Sequence, residues 1–497
     1  MEMPGTSIAK PPERARPVQD VTAAQWLSTA TIPIVVAVFF YGFMIYLGGR
    51  LLTDPDTLFH IAAGRWIAAH HGVPTTDPFS FTMQGASWIA HEWGAELALA
   101  GTYAAFGWAG VAALTAAAVA TTFFILARFL GSILRASAAL LCTASSFLLA
   151  APRFMARPHV LIMPILVAWT VGLERARLSR KPPSYFLWPL MTLWANLHGS
   201  FVVGFGLLGV YAIEGVIATP GRQARLQTAK RWSIFICGAL LAALLTPYGI
   251  EGPLLALRLS SETFSLGFVN EWHSADFSIL QPLEFWLLGL LVLGFALDLR
   301  LPVFKLLIIL GLVHLALAHR RHTELLALIG PVLLAEPLRH AIGDGTRPLI
   351  HERPSARSYL AGAFVIVLIT GSVAFFGISR DHPATAPHDA LAAAHAARLN
   401  GPVFNAYDFG GYLIFSDIEP FVDGRIDMYG DAFMRDYADA VSAKDDKLSQ
   451  LLDRYHIAWT LLQPGMPAVG FLDRSPGWER VYADANAVVH RRRAAVP

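Results

Sequence analysis

The stretch LLTDPDTLFHIAAGRW, residues 51–66, begins where the first long apolar run of the chain ends. It places two carboxylates, Asp54 and Asp56, close to His60 in an otherwise apolar region. Ionisable side chains next to a bilayer are costly and tend to be functional. If the flanking runs cross a membrane, this segment therefore marks both the membrane surface and a candidate site.

The composition supports membrane insertion. Of 497 residues, 55% are hydrophobic and only 15% are charged, whereas soluble domains carry about 25% charged residues. The net charge of +2 gives no reason to expect a nucleic-acid partner. Apolar runs that predict about eleven membrane-spanning helices lie near 30–49, 109–127, 136–151, 160–174, 184–197, 200–218, 232–247, 281–297, 305–319, 323–337 and 359–378. The sequence thus predicts a polytopic α-helical membrane protein.

Basic residues alternate between successive loops, which predicts the orientation. The basic loops hold Arg128 and Arg135, then 175–181, 222–231 and 339–357. If these loops are cytoplasmic, residues 1–29 form a disordered cytoplasmic tail, and 30–378 form the membrane domain. The first outer loop then spans 50–108, and 379–497 form an extracytoplasmic α/β domain. We expect the protein in a bacterial inner (plasma) membrane, where it contacts membrane lipids.

The first outer loop predicts two helices. DTLFHIAAGRWIAAHHG indicates an interfacial helix with its apolar face toward the membrane, and a second amphipathic helix presents His91, Glu92, Trp93 and Glu96. Asp56 stands at the first helix start, where a carboxylate can cap free N–H groups. Asp56 is therefore either a helix cap or a functional carboxylate.

The later outer loops carry one tryptophan, Trp272, and further ionisable groups: Arg153, Arg157, His159, His198, Glu271, Arg320, Arg321 and His322. Outer arginines are disfavoured by the positive-inside rule, so they need a local reason. One explanation is a bound phosphate, which guanidinium groups grip with two parallel hydrogen bonds. The other is pairing with Glu271, Glu324 or Asp56.

The C-terminal domain predicts mixed helices and strands. Helices are expected over HDALAAAHAARL, GGYLIFS, DAFMRDYADAVSA and DKLSQLLDRYH, and strands over residues 401–407, 420–426, 457–463, 478–484 and 487–493. NAYDFGGYL contains Asp408, and VDGRIDMYG contains Asp423, Arg425 and Asp427. These residues either bind a ligand or occupy turns and sheet edges.

This layout resembles the GT-C superfamily of integral-membrane glycosyltransferases, which use polyprenyl-phosphate-linked sugars. The resemblance rests on the outer loop after the first span, its early acidic residue, the many spans and the outward C-terminal domain. AYDFGGY and VDGRID, within 404–427, also resemble a region of the oligosaccharyltransferase catalytic subunit, without its paired tryptophans.

The resemblance implies that a sugar moves from a polyprenyl-phosphate donor to a sugar, lipid or protein acceptor outside the cytoplasm. Asp56, or second Asp54, would be catalytic, with His60 nearby. The donor phosphate would be held by Arg153, Arg157, His159, Arg320, Arg321 and His322. The acceptor or the remaining cavity would involve His91, Glu92, Trp93, His198, Glu271, Trp272, Asp408, Asp423 and Arg425.

Two questions stay open at this stage. Asp54, Asp56 and His60 offer oxygen and nitrogen ligands for Mg²⁺ or Mn²⁺, but no cofactor is required by the sequence. The alternative functions are a transporter or flippase for lipid-linked sugars, or a polymerase or ligase of surface polysaccharide. A transporter should show inverted repeats and polar groups at mid-membrane, and no internal repeat is evident in the sequence.

The loop charges generate a topology prediction. Single cysteines at Ser355 and Ser442, in a chain whose two native cysteines are replaced by alanine, should react with an impermeant thiol reagent from opposite sides. Ser355 is expected inside, after the basic segment 339–353, and Ser442 outside. Labelling of both from the same side would overturn the predicted orientation.

Overall fold

The computed structural model describes residues 31–259, 264, 267, 270–343 and 354–493. The predicted tail over 1–29 lies outside the described residues. Residues 32–376 contain fourteen described α-helices, α1 to α14 in chain order. Their bounds are Ile32–Tyr46, Gly48–Leu51, Asp56–His70, Trp93–Gly131, Ala136–Ala150, Pro158–Ser179, Leu187–Leu197, Phe201–Ile217, Arg222–Ala243, Glu251–Leu259, Pro282–Ala296, Val303–Ala318, Thr323–Ile342 and Ala356–Phe376.

Each predicted apolar run coincides with one of these helices, which confirms a mostly helical, multi-pass membrane protein. Within the described part of the chain, five helical segments are long and apolar enough to cross a bilayer: Trp93–Gly131, Ala136–Arg153, Pro158–Ser179, Arg320–Ile342 and Ala356–Phe376. Four shorter apolar helices, α1, α8, α11 and α12, have 10–17 residues. The count of eleven spans therefore stays a prediction.

The helix α4 joins two elements that the sequence separates. The predicted amphipathic helix and the second span form one 39-residue element, which is interrupted where Gly107 has φ 58° and ψ −146°. A positive φ is readily available to glycine, which has no Cβ. The helix begins at Trp93, so His91 and Glu92 lie in the preceding turn and not on the helix as predicted.

The helix α3 lies inside the molecule. Its residues Thr57–Gly64 are buried, because α4 packs on one side and the helix Gly410–Phe415 packs on the other. A Cβ at Gly64 would overlap the carbonyl of Glu96, and a Cβ at Gly411 would approach the carbonyl oxygen of Pro55 to 2.8 Å. Over Thr57–Gly64 the apolar face of α3 therefore packs against protein and not against the membrane as predicted, whereas Arg65 and Ala68–His70 are exposed.

The C-terminal region contains a four-stranded sheet. The helices α15 to α19 are His388–Ala396, Gly410–Phe415, Ile426–Val441, Lys447–Arg454 and Pro467–Arg474, and the strands β1 to β4 are Val403–Asn405, Trp459–Leu462, Trp478–Ala483 and Val488–Arg492. The strand order is β1-β2-β4-β3. The first pair is parallel and the other two are antiparallel.

Two features of this region differ from the prediction. The predicted strand at 420–426 is a loop over residues 420–425, after which Ile426 begins α17, because the Asp423 carboxylate accepts the backbone N–H of Arg425 at 3.0 Å and turns the chain. The helix α19 was not predicted. The division into domains at residue 379 is not decided by these contacts and stays a prediction.

An ion-pair network ties α6, α12 and α13 together at the ends that lie far from the C-terminal region. The Lys305 ammonium donates to Glu174 at 2.8 Å and to Glu336 at 3.3 Å, and both Lys305 and Glu174 are 1% exposed. Arg177 pairs with the same two glutamates. Glu174 lies sixteen residues beyond the start of α6, so the network is about 24 Å from Arg157 along the helix axis.

Candidate functional site

Two adjoining cavities lie where the membrane helices meet the C-terminal region, with volumes of about 320 Å³ and 750 Å³. Five residues line both of them: Asp56, Arg153, Arg157, Glu271 and Tyr407. These residues form what we call the shared wall. Three were predicted as donor or catalytic groups and Glu271 as a cavity group. Tyr407 was not assigned a role, although it directly precedes the predicted Asp408.

Arg157 is the charged centre of the shared wall. Its guanidinium lies 2.9 Å from the Asp56 carboxylate, 3.5 Å from Asp54 and 3.4 Å from Glu271. Arg153 forms an ion pair with the same Glu271. In this structure both Arg153 and Arg157 are therefore paired with carboxylates, which is the alternative explanation to a bound phosphate.

The backbone holds Arg157 against the turn that carries the two aspartates. The N–H of Ala156 donates to the carbonyl of Leu51 at 2.8 Å, and the hydroxyl of Thr57 donates back to the carbonyl of Ala156 at 2.9 Å. The segment before α6 and the start of α3 are thus fixed to each other. The position of Arg157 relative to Asp56 follows from these two bonds.

Asp56 does not cap α3. The Asp54 carboxylate accepts the backbone N–H of Asp56 at 2.9 Å, and the Asp56 side chain makes no capping bond. Asp56 points into both cavities with 20% of its side chain exposed. Burial, together with the charges of Asp54, Glu271 and Asp423, outweighs Arg157 and raises the pKa of Asp56 to about 7. The capping interpretation is wrong for Asp56, which is left with a carboxylate that titrates near neutrality.

Gly424 lies directly over Asp56. A Cβ on this residue would overlap the Oδ1 atom of the Asp56 carboxylate. Gly424 belongs to the loop at 420–425 and lines the smaller cavity. The C-terminal region therefore closes one side of the site, and only glycine permits so close an approach.

The four predicted phosphate-binding arginines do not form a single cluster. Arg321 lines the smaller cavity, stacks over the Trp272 ring at 4.5 Å, and forms no ion pair with any described residue within 4.0 Å. Arg320 lines the larger cavity, is 40% exposed and lies 3.9 Å from Asp276. Among these four, Arg321 is thus the guanidinium without a carboxylate partner in the described part of the chain.

Two histidines predicted beside the arginines also line the smaller cavity. His322 has a buried Nδ1 atom with no hydrogen-bond partner, and His159 lies 2.9 Å from the Arg153 carbonyl and 3.7 Å from Glu324. Glu324 was considered only as an arginine partner from the sequence. The smaller cavity thus contains Arg321 together with the His322 Nδ1 and Glu324 Oε2 atoms, which have no hydrogen-bond partner among the described residues.

Three histidines surround Glu92 in the lining of the smaller cavity. Its carboxylate lies 3.3 Å from His198 and 3.8 Å from both His60 and His91. Burial raises the pKa of Glu92 and lowers the pKa values of His60 and His198 well below their usual range. The uncharged imidazoles of His60 and His198 offer hydrogen bonds to neutral polar ligands such as hydroxyl groups.

The remaining predicted residues are distributed as follows. Trp272 lines the smaller cavity and Asp408 the larger one, where Gln463 donates to it at 3.0 Å. Trp93 lines neither cavity and donates to Asn196 at 2.8 Å. Asp427 and Glu96, to which the sequence assigns no role, also line the smaller cavity.

Asp423 and Arg425 form a buried bridge between the C-terminal region and the loop before α4. Arg425, 3% exposed, donates to Asp423 at 2.7 Å and to Asp77 at 2.5 Å. The rings of Phe59, Phe79 and Trp88 surround its guanidinium at 4.9–5.4 Å. Asp423 is fully buried and lines neither cavity, whereas Arg425 borders the smaller one.

No metal site can be assigned from geometry in the described ranges, where no group of three His, Cys, Asp or Glu side chains is placed to hold an ion. Asp54 and Asp56 are both engaged by Arg157. Binding of Mg²⁺ or Mn²⁺ by Asp54, Asp56 and His60 stays a prediction.

Solved structures offer a comparison at the level of the whole chain. The chain is similar to the oligosaccharyltransferase of Archaeoglobus fulgidus, with 10% identity over 88% of this chain and 70% of that one, and a TM-score of 0.49. It is similar also to ArnT from Cupriavidus metallidurans. The apo state has 13% identity, covers 94% and 98% of the two chains and has a TM-score of 0.48. The form bound to undecaprenyl phosphate has 14% identity, covers 95% of this chain and 99% of that one, and has a TM-score of 0.44.

Both neighbours are GT-C glycosyltransferases, the class that the sequence resembles. No protein-family model and no curated protein sequence matches the chain. At these identities and TM-scores the structural likeness supports no conclusion about function. The function is therefore argued from the residues that line the two cavities.

The buried bridge generates a stability prediction. Arg425→Met should lower the free energy of unfolding by about 3–5 kcal/mol, because Asp77 and Asp423 are left buried without a cation. Arg480→Met is the matched control: Arg480 is 47% exposed in its pair with Asp473, so about 0–1 kcal/mol is expected. Urea unfolding in detergent, followed by tryptophan fluorescence, measures both, and equal losses would contradict the bridge.

Proposed function

We propose that this protein is a membrane glycosyltransferase that moves a sugar from a polyprenyl-phosphate-linked donor to an acceptor on the extracytoplasmic side of a bacterial inner membrane. The observation that carries the proposal is the shared wall. Two cavities of different size meet at one buried carboxylate, Asp56, and its arginine partner, Arg157. A transferase has to bring two substrates to one reactive group, and this arrangement provides the space.

The smaller cavity suits the donor. Arg321 has no carboxylate partner among the described residues, and a lipid-linked phosphate needs a cation. The uncharged imidazoles of His60 and His198, next to Glu92, would meet the sugar hydroxyls at the other side of the same cavity. The larger cavity, which Asp408 and Arg320 line, would then admit the acceptor.

In the proposed reaction, Asp56 acts as the general base. Its carboxylate takes the proton of an acceptor hydroxyl while that oxygen attacks the anomeric carbon of the sugar. The bond from this carbon to the phosphate oxygen breaks, and its electron pair stays on the phosphate. Arg321 would stabilise the charge that develops on the phosphate. Arg157 would orient the Asp56 carboxylate.

A transporter or flippase is a weaker candidate. Such a protein needs an ion or substrate path that opens at both ends of the helix bundle. Here the cavities lie at one end, and the ion pairs of Lys305 with Glu174 and Glu336 tie the helices together at the other. A polymerase or ligase of surface polysaccharide differs from the proposed transferase in its acceptor alone.

Replacement of Asp56 tests the base. Asp56→Asn should reduce kcat by about 10²-fold or more, because the proton acceptor is lost, while donor binding stays intact. Asp54→Asn is the matched control, since it removes another carboxylate next to Arg157 and Asn still caps the helix. Turnover of a radiolabelled lipid-linked sugar by purified protein measures both. Similar kcat values for Asp56→Asn and Asp54→Asn would leave Asp56 without the role of base.

The pH profile gives a second measurement of the same role. A general base works when it is deprotonated, so kcat of the wild-type protein should rise with pH through about 7, the pKa to which burial raises Asp56. In Asp56→Asn this rise of kcat with pH should disappear, whereas in Asp54→Asn kcat should still rise with pH. A wild-type profile that is flat from pH 5 to 8 would contradict the assignment.

Replacement of Arg321 tests the phosphate site. Arg321→Gln should weaken binding of a polyprenyl phosphate about tenfold or more, the cost of one charge-assisted hydrogen bond. Arg321→Lys should recover part of this loss, because the charge remains but the two-pronged geometry does not. The adjacent Arg320→Gln, in the other cavity, is the control and should change the Kd less than about twofold. The reverse order of effects would place the phosphate in the larger cavity.

A further inference from the structure

Arg380 is a buried arginine outside both cavities. It lies four residues beyond the end of α14, and 7% of its surface is exposed. It forms no ion pair within 4.0 Å in the described part of the chain, and its guanidinium lies over the Trp108 ring at 5.9 Å. A buried cation is costly unless other groups satisfy it, so Arg380 depends on its hydrogen bonds.

These bonds go to the turn between α2 and α3. The Arg380 Nε atom donates to the carbonyl of Leu52 at 2.7 Å, and Nη2 donates to the carbonyl of Asp54 at 3.2 Å. Nη2 also donates at 2.9 Å to the hydroxyl of Thr385, which lies 3.4 Å from the carbonyl of Thr53. Three successive carbonyls of this turn therefore meet Arg380 and its partner Thr385.

The turn needs such donors because it lies between two helices, where backbone carbonyls lack helical partners and cannot stay buried unpaired. Its other side is fixed to the segment of Arg157, through the bond between Leu51 and Ala156. The turn that carries Asp54 and leads into Asp56 is therefore held between Arg157 on one side and Arg380 on the other.

We propose that Arg380 is a positioning residue for Asp56, a role that rests on the proposed function. By fixing the carbonyls of Leu52 and Asp54, it sets the distance between the Asp56 carboxylate and Arg157. A planar guanidinium can bond both carbonyls and Thr385 at once, which the single ammonium of lysine cannot do in the same geometry. Arg380 thereby links the C-terminal segment to the reactive carboxylate without touching a substrate.

The kinetic test compares Arg380→Gln, Arg380→Lys and the milder Thr385→Val. Arg380→Gln should lower kcat about 10- to 100-fold, the scale expected when a reactive group is displaced by about 1 Å, with KM for the donor within about twofold. Arg380→Lys should lie between this variant and the wild type, and Thr385→Val should lose less than Arg380→Gln. Arg398→Gln is the control, because Arg398 is an exposed arginine of the same region, and it should match the wild type.

The pH profile separates positioning from general damage. Asp56 is faced by Arg157, Asp54, Glu271 and Asp423. A loosened turn should let water reach its carboxylate, which favours the charged form. The rising limb of kcat should therefore move to lower pH in Arg380→Gln. A lower kcat with the limb unmoved would mean that the variant has lost active protein, and would overturn the positioning role.

Hydrogen–deuterium exchange supplies a readout that does not depend on turnover. In Arg380→Gln the amides of residues 52–58 should exchange at least about tenfold faster, while those of β2 should be unchanged. Unchanged exchange at 52–58 would overturn the proposal even if kcat fell. Absence of sugar transfer by the wild-type protein would instead refute the proposed function, and the exchange result would still show whether Arg380 holds the turn.

Discussion

The site depends on the placement of Arg157 among three carboxylates. Two unit charges about 4 Å apart interact by about 4 kcal/mol at an effective dielectric constant near 20, so Arg157 and its partners are held strongly where water is scarce. Arg153 and Arg157 face Asp54, Asp56 and Glu271. One carboxylate is in excess, and a proton on it relieves the repulsion. Asp56 is the group whose pKa rises to about 7, whereas the two arginines lower the pKa of Glu271.

This charge balance requires close packing between parts of the chain that are distant in sequence. The loop at 420–425 reaches Asp56 because Gly424 has no side chain, and α16 reaches Pro55 because Gly411 has none. The first half of α3 is consequently enclosed between α4 and the C-terminal region. Enclosure limits the access of water to Asp56, and desolvation is the main reason for its raised pKa.

The sequence predicted the helices well, because apolar runs and periodicity are local properties. It also placed Asp56 and Arg157 near one site, through their position beside apolar segments. It left open whether Asp56 caps α3, because helix boundaries are uncertain by one or two residues and DPD offers two candidates; in the structure Asp54 accepts the backbone N–H of Asp56. The prediction of a strand at 420–426 was wrong. It followed from Phe421 and Val422, which favour strands, whereas the chain turns here because the Asp423 side chain bonds to the backbone.

The division of the arginines could not be predicted from local patterns. Arg153 meets Glu271 across 118 positions of sequence, and Arg157 meets Asp54 across 103. Arg320 and Arg321 are neighbours in sequence but line different cavities, because the short 3-10 turn at Arg320–His322 directs them apart. Pair formation of this kind is decided by the tertiary fold.

The bridge from Arg425 to Asp77 joins residues 348 positions apart, and this has a consequence for biosynthesis. At 5–20 residues per second, a ribosome needs roughly 20–70 s to make the intervening chain. During that time Asp77 has only its local hydrogen bonds from Phe79 and Ser80 and lacks the Arg425 guanidinium. A chain that ends before Arg425 would have its membrane helices without this bridge and without Gly424, which closes one side of the candidate site. Closure of the candidate site therefore requires the C-terminal region.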